Sequence, residues 1–100
     1  MPTSTHPHPV ALITGASSGI GREIARRLAR EGYRLALCAR RLDRLQQLQA
    51  ELESTGAETW VHQLDLREAE KIPALFDGIR TRFGGVDVLV NNAGLGRRSP

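Results

Sequence analysis

From Val10 onward, short apolar runs alternate with apolar residues at helical spacing. Residues 10–14, 35–39, 60–64 and 86–90 are apolar-rich, too short for helices and bounded by Gly, Asp, Asn or Arg, which predicts four strands. Between them Ile20, Ile24 and Leu28 recur every four residues, and Leu42, Leu45, Leu48 and Leu52 every three or four. Ile72, Leu75, Phe76, Ile79 and Phe83 form a third stripe, compatible with Pro73 only if that residue falls in the first turn. Each set places an apolar stripe on one face of a helix. Gly32, Gly56 and the Gly84–Gly85 pair stand where the helices should stop. Strands alternating with single helices predict an α/β fold, a doubly wound parallel sheet with helices on both faces. In such a sheet the binding crevice lies beyond the carboxyl ends of the strands, so the informative residues are those just after each strand.

Composition narrows the possibilities. One hundred residues suit one domain, and 40% hydrophobic with 25% charged residues is ordinary for a globular chain. The longest apolar stretch, 35–39, is far short of the roughly 20 residues of a transmembrane helix. Residues 1–9, with prolines at 2, 7 and 9, read as a disordered lead-in without the apolar run of a secretory signal, ahead of the folded segment 10–100. His6 and His8 in that tail lack further ligands, so no metal site is expected. Cys38 is the single cysteine and lies in an apolar run, which reads as a core thiol in a reducing, cytoplasmic setting.

Charge points to an anionic partner. Thirteen of the 14 basic residues are arginine, Lys71 is the only lysine, and the net charge is +3. Nucleic acid, a membrane surface or a phosphorylated cofactor would each suit that balance. A nucleic-acid surface also needs accessible aromatics among clustered basic residues, and Tyr33, Trp60, Phe76 and Phe83 are scattered along the chain, mostly on expected core faces.

The strand ends carry the chemistry. After the first strand comes Thr14-Gly15-Ala16-Ser17-Ser18-Gly19-Ile20-Gly21, opening a helix. Gly15, Gly19 and Gly21 would allow a tight turn and close approach of the backbone to an anion. The helix end offers unpaired N–H groups, and Ser17 and Ser18 offer hydroxyls. A mononucleotide P-loop is excluded, because its lysine would have to lie in this loop. After the second strand, Ala39 is not acidic and Arg40 and Arg41 follow, a pattern that favours a 2′-phosphate over a free ribose hydroxyl, hence NADP over NAD. Asp43 is the competing acid, placed where the helix dipole would favour a carboxylate anyway. Asp65 either accepts from an adenine amine, with Leu66 covering the ring, or caps loop amides. After the fourth strand, Asn91-Asn92-Ala93-Gly94 leaves room for a ribose and supplies amides that can tie loops together.

In these motifs the chain resembles the short-chain dehydrogenase/reductase family over residues 10–94. The Thr-Gly-x-x-x-Gly-x-Gly pattern is met at Thr14, Gly15, Gly19 and Gly21, and Asn-Asn-Ala-Gly at Asn91 to Gly94. The resemblance implies a Rossmann-like, NAD(P)-binding segment. Ser17, Ser18 and Ile20 would lie near the phosphates, Arg40 at the position marking NADP preference, Asp65 and Leu66 at the adenine, and Asn91, Ala93 and Gly94 at the adenosine side. It also implies hydride transfer to or from a small-molecule substrate in a homo-oligomeric parent enzyme, without nucleic-acid or membrane partners. The family's Tyr-x-x-x-Lys pair is missing: Tyr33 is followed four places on by Leu37, and Lys71 is remote, so no residue is nominated as catalytic. A dinucleotide-binding sensor or scaffold is the competing function.

Overall fold

The computed structural model describes residues 8–92. Strand β1 (Val10–Thr14) leads into helix α1 (Gly19–Arg30), then β2 (Arg34–Ala39), α2 (Leu42–Glu53), β3 (Thr59–Gln63), a short 3₁₀ turn, α3 (Ile72–Phe83) and β4 (Val88–Asn91). All pairings are parallel and the sheet order is β3-β2-β1-β4. The chain therefore works outward from β1 to β3, then crosses back to the other side of β1, making the β1/β4 junction the topological switch point.

Every residue of β1 and β2 is buried, and the period of two along each strand sorts them between two cores. Ala11, Ile13, Leu35, Leu37 and Ala39 face one cluster, completed by Ala25 of α1 and Leu45, Leu48 and Leu52 of α2. Val10, Leu12, Ala36 and Cys38 face the other, completed by Leu75, Ile79 and Phe83 of α3. The helices thus cover both faces, as the doubly wound reading requires. On the α3 side the Trp60 ring fills the space that a Cβ at Gly78 would occupy, and Arg82 lies over it at 5.5 Å. On the other face, Arg26 of α1 forks onto Glu51 of α2 through bonds of 2.6 and 3.0 Å. At this exposed position the pair aligns the two helices more than it stabilises them.

The structure moves some boundaries. β2 and β3 each begin one residue earlier than the apolar runs, because parallel pairing sets Arg34 beside Val10 and Thr59 beside Leu35. β4 runs Val88–Asn91 rather than 86–90. Ahead of it Asp87 fastens the start of β1, its N–H donating to Val10 O and its Oδ2 accepting from Val10 N at 2.8 Å.

Three positions of the helical stripes are not core, and one of them, Leu42 at the start of α2, is 36% exposed. Ile20 is 61% exposed, since α1 begins at the very end of the sheet and its first turn overhangs the strands. Phe76 is 40% exposed because the i, i+4, i+8 set Leu75, Ile79 and Phe83 takes the buried face, leaving Phe76 about 100° round the helix. The contrast is measurable by denaturant unfolding of the full-length polypeptide. Leu75→Ala should cost about 2–5 kcal/mol, whereas Ile20→Ala should stay within about 0.5 kcal/mol of the parent. Equal losses would contradict the placement of Ile20.

Candidate functional site

Three carboxyl-terminal strand ends surround a cleft of about 430 Å³ lined by Gly15, Ser17 and Ser18 after β1, Cys38 to Arg41 at the end of β2, and Leu64 to Arg67 after β3. A smaller hollow of about 170 Å³ lies at the opposite ends of the strands, beside His8, Gly32 and Tyr33. Only the first collects the residues that the sequence marks for anion chemistry.

The three loop glycines do different jobs. Gly15 has φ +66°, a left-handed turn that lifts the chain off β1. Gly21 is buried rather than open to a ligand: a Cβ there would run into Gly15 O and stand 2.8 Å from Asn92 Nδ2 and 2.9 Å from Ala16 Cα. It therefore lets the helix pack onto its own loop, which corrects the expectation that it serves anion approach. Gly19 is the open one, with nothing within 4 Å of the position of a Cβ.

Ser18 caps α1 by accepting from Gly21 N at 3.2 Å, and it spends its one hydroxyl proton on Gly15 O at 2.9 Å. That leaves Ser17, whose side chain makes no hydrogen bond among the described residues, as the hydroxyl donor of the loop. The loop is also tied to both neighbouring strands. Ala16 N donates to Cys38 O at 3.1 Å, and Asn92 Nδ2 donates to Gly15 O at 3.0 Å and Ser18 Oγ at 2.8 Å. Asn91 Oδ1 accepts from Thr14 Oγ1 at 2.9 Å. Asn91 and Asn92 thus do the tying expected of the paired amides. Asn92, which the family resemblance does not place at the adenosine side, joins the loop as well, and the doubled asparagine at the strand end is the signal for it. Ala93 and Gly94 lie outside the described residues.

Three guanidiniums line the cleft, in unequal states. Arg41 reaches Asp43 at 3.4 Å, and its guanidinium lowers the carboxyl of Asp43 below the ordinary value. Arg67 pairs with Asp65 at 2.7 Å. Arg40 makes no side-chain ion pair or hydrogen bond among the described residues, and its backbone carbonyl is fixed by Gln63 Nε2 at 3.0 Å. Asp65 also takes the loop-capping role, Oδ1 accepting from Arg67 N at 2.9 Å. Hydrogen bonds from Arg67, with Arg40 adding charge, hold its carboxyl down to about 2. Leu66 lines the cleft and packs against the second core. Beneath them Cys38 is buried, and burial pushes its thiol up to about 11, so it is an inert wall rather than a nucleophile.

Tyr33 and Lys71 are both away from the cleft, Tyr33 beside the hollow at the opposite strand ends and Lys71 in the 3₁₀ turn beside Glu68. No group of His, Cys, Asp and Glu among the described residues could hold a metal ion, and none of the described helices is long and apolar enough to cross a membrane.

Comparison with known proteins agrees with this arrangement. The chicken (Gallus gallus) protein "Dehydrogenase/reductase SDR family member 11" is 44% identical over 93 residues, an alignment covering 91% of this chain and 36% of that protein. L-Sorbose reductase from Gluconobacter frateurii, solved with NADPH and L-sorbose, superposes with a TM-score of 0.85 at 40% identity, over 93% of this chain and 36% of the other. A short chain dehydrogenase/reductase from Burkholderia phymatum, solved with NAD, gives a TM-score of 0.79 at 34% identity, over 82% of this chain and 29% of the other. The chain therefore spans about a third of the length of these relatives and shares their Rossmann-like sheet. The short chain dehydrogenase family model matches residues 9–100, and the chain belongs to that family.

Proposed function

We propose that this chain forms the cofactor-binding part of an oxidoreductase, and that it takes NADP or NADPH in preference to NAD. The relatives leave the choice of cofactor open, since one was solved with NADPH and another with NAD. The observation that carries the preference is the state of Arg40. Of the three guanidiniums around the cleft it alone has no carboxylate partner among the described residues, and Ala39 before it offers no acid to a ribose hydroxyl. A guanidinium so placed can make paired, charge-assisted bonds to a 2′-phosphate without first breaking an ion pair.

The rest of the loop fits a pyrophosphate. The open side of Gly19 admits the anion, the amino terminus of α1 presents N–H groups and the positive end of its dipole, and the Ser17 hydroxyl has no hydrogen-bond partner among the described residues. Ile20 is exposed beside this anion position, where an apolar side chain can cover a ligand. Asp65 and Leu66 would hold the adenine, and Asn91, Ala93 and Gly94 the adenosine side and the loop junction. When bound, the nicotinamide supplies the hydride chemistry. This chain's own residues bind and orient the dinucleotide; none is assigned a catalytic role. The carbonyl or alcohol substrate, the homo-oligomeric state and the cytoplasmic location belong to the same reading of the whole protein through its family.

Two substitutions in the full-length polypeptide test the assignment. Gly19→Val places a side chain in open space, so the fold should persist while NADPH affinity measured by calorimetry collapses; unchanged affinity would refute the pyrophosphate position. Arg40→Asp should weaken NADPH by about one to two powers of ten, the worth of a charge-assisted hydrogen bond of roughly 1.5–3 kcal/mol, and spare NADH. If the NADPH to NADH ratio does not move, the phosphate is held elsewhere, with Arg41 the next candidate.

A further inference from the structure

Asp65 is held by a neighbour two residues on, in a geometry that restricts what the carboxylate can still do. Its Oδ1 accepts from Arg67 N at 2.9 Å and from Arg67 Nε at 3.1 Å. Its Oδ2 accepts from Arg67 Nη2 at 2.7 Å and shares Nε at 3.1 Å. The backbone bond fixes Oδ1 in the turn after β3, whose closure is completed by Glu68 N donating to Asp65 O at 2.8 Å. The guanidinium fork then fixes rotation of the carboxylate about its last bond, because both oxygens are engaged from one side. A carboxylate has about four lone-pair positions. Arg67 fills three of them with three hydrogens, the backbone N–H on Oδ1, one Nη2–H on Oδ2 and the single Nε–H shared between the two oxygens, so the carboxylate keeps one acceptor position.

We propose that Arg67 is a positioning residue that clamps Asp65 so that its remaining acceptor position selects a purine bearing an exocyclic amine. This rests on the reading that the cleft holds the adenosine end of a dinucleotide. Both side chains line the cleft, Arg67 being 80% exposed and Asp65 25% exposed. A clamped, ionised carboxylate is an acceptor only. It rewards a base edge that donates, such as the amine of adenine, and repels one that presents a carbonyl oxygen, such as hypoxanthine. The Arg67 hydrogen bonds hold the carboxyl down to about 2, so at neutral pH it is ionised and the clamp presents an acceptor.

The selection is read with NADPH and reduced nicotinamide hypoxanthine dinucleotide phosphate, comparing Kd values for the full-length polypeptide. The unsubstituted protein should prefer NADPH by about tenfold or more, the scale of one hydrogen bond to a charged group. Arg67→Ala should cut that preference severalfold. Arg67→Lys, which keeps the charge and loses the fork, should behave like Arg67→Ala. Asp65→Asn should abolish the preference, and adding Arg67→Ala to it should change nothing further, as expected of a residue acting through another. In Arg67→Ala the carboxyl of Asp65, followed by NMR, should titrate upward from about 2 toward its ordinary value. An unchanged preference in Arg67→Ala, full rescue by Arg67→Lys, or no effect of Asp65→Asn would overturn the proposal and leave the cofactor assignment standing. If the unsubstituted protein fails to bind NADPH at all, the cofactor assignment falls and takes this proposal with it.

Discussion

β1 and β2 are buried on both faces, and that constraint shapes everything around them. A side chain in the middle of either strand must pack against a helix whichever way it points, so a polar group there would lose water with no partner to replace it. The interior positions are accordingly apolar, and Thr14, the polar residue at the end of β1, is engaged by Asn91. Polar chemistry is thereby displaced to the strand ends. Because all four strands are parallel, their carboxyl ends gather on one edge of the sheet, which is why Gly15, Arg40 and Asp65 meet although they are far apart in sequence.

What the strands bring together, the loops hold still. The turn after β1 is bonded to β2 through Ala16 and to the end of β4 through Asn92, and the turn after β2 is bonded to β3 through Gln63. Each bond is individually modest, roughly 0.5–1.5 kcal/mol net. Their value lies in geometry. A backbone that must present amides to a phosphate gains affinity when little ordering remains to be done on binding. Gly21 belongs to this rigid frame, and Gly19 to the surface that the frame presents.

Element type and order were legible because β1 and β2, buried on both faces, leave apolar runs and the helices leave regular stripes. Boundaries were less so: Arg34 joins β2 through backbone pairing, to which its charged side chain gives no clue. Most of the cleft was legible for the same topological reason, since residues after parallel strands must converge. The partnerships within it were not. Nothing in the order of residues tells that Ser18 spends its proton on Gly15 O, that Arg41 and Arg67 each take a carboxylate two positions away while Arg40 does not, or that Asn92 joins the loop. Such choices depend on side-chain reach in three dimensions, and several acceptors lie within reach of each donor.

The division of β2 between the two cores is unequal: Leu35 and Leu37 face α1 and α2, and the smaller Ala36 and Cys38 face α3. Deleting one residue within that strand would exchange the two sets. Leucines would be forced into the shallow side while the deep side was left hollow, so a single lesion would produce crowding and a void together, and no rotamer change on one face could relieve the other. The strand is thus closed to changes of length. The turns at its ends can absorb them, and it is there that a lineage of such proteins can vary what it binds without disturbing how it folds.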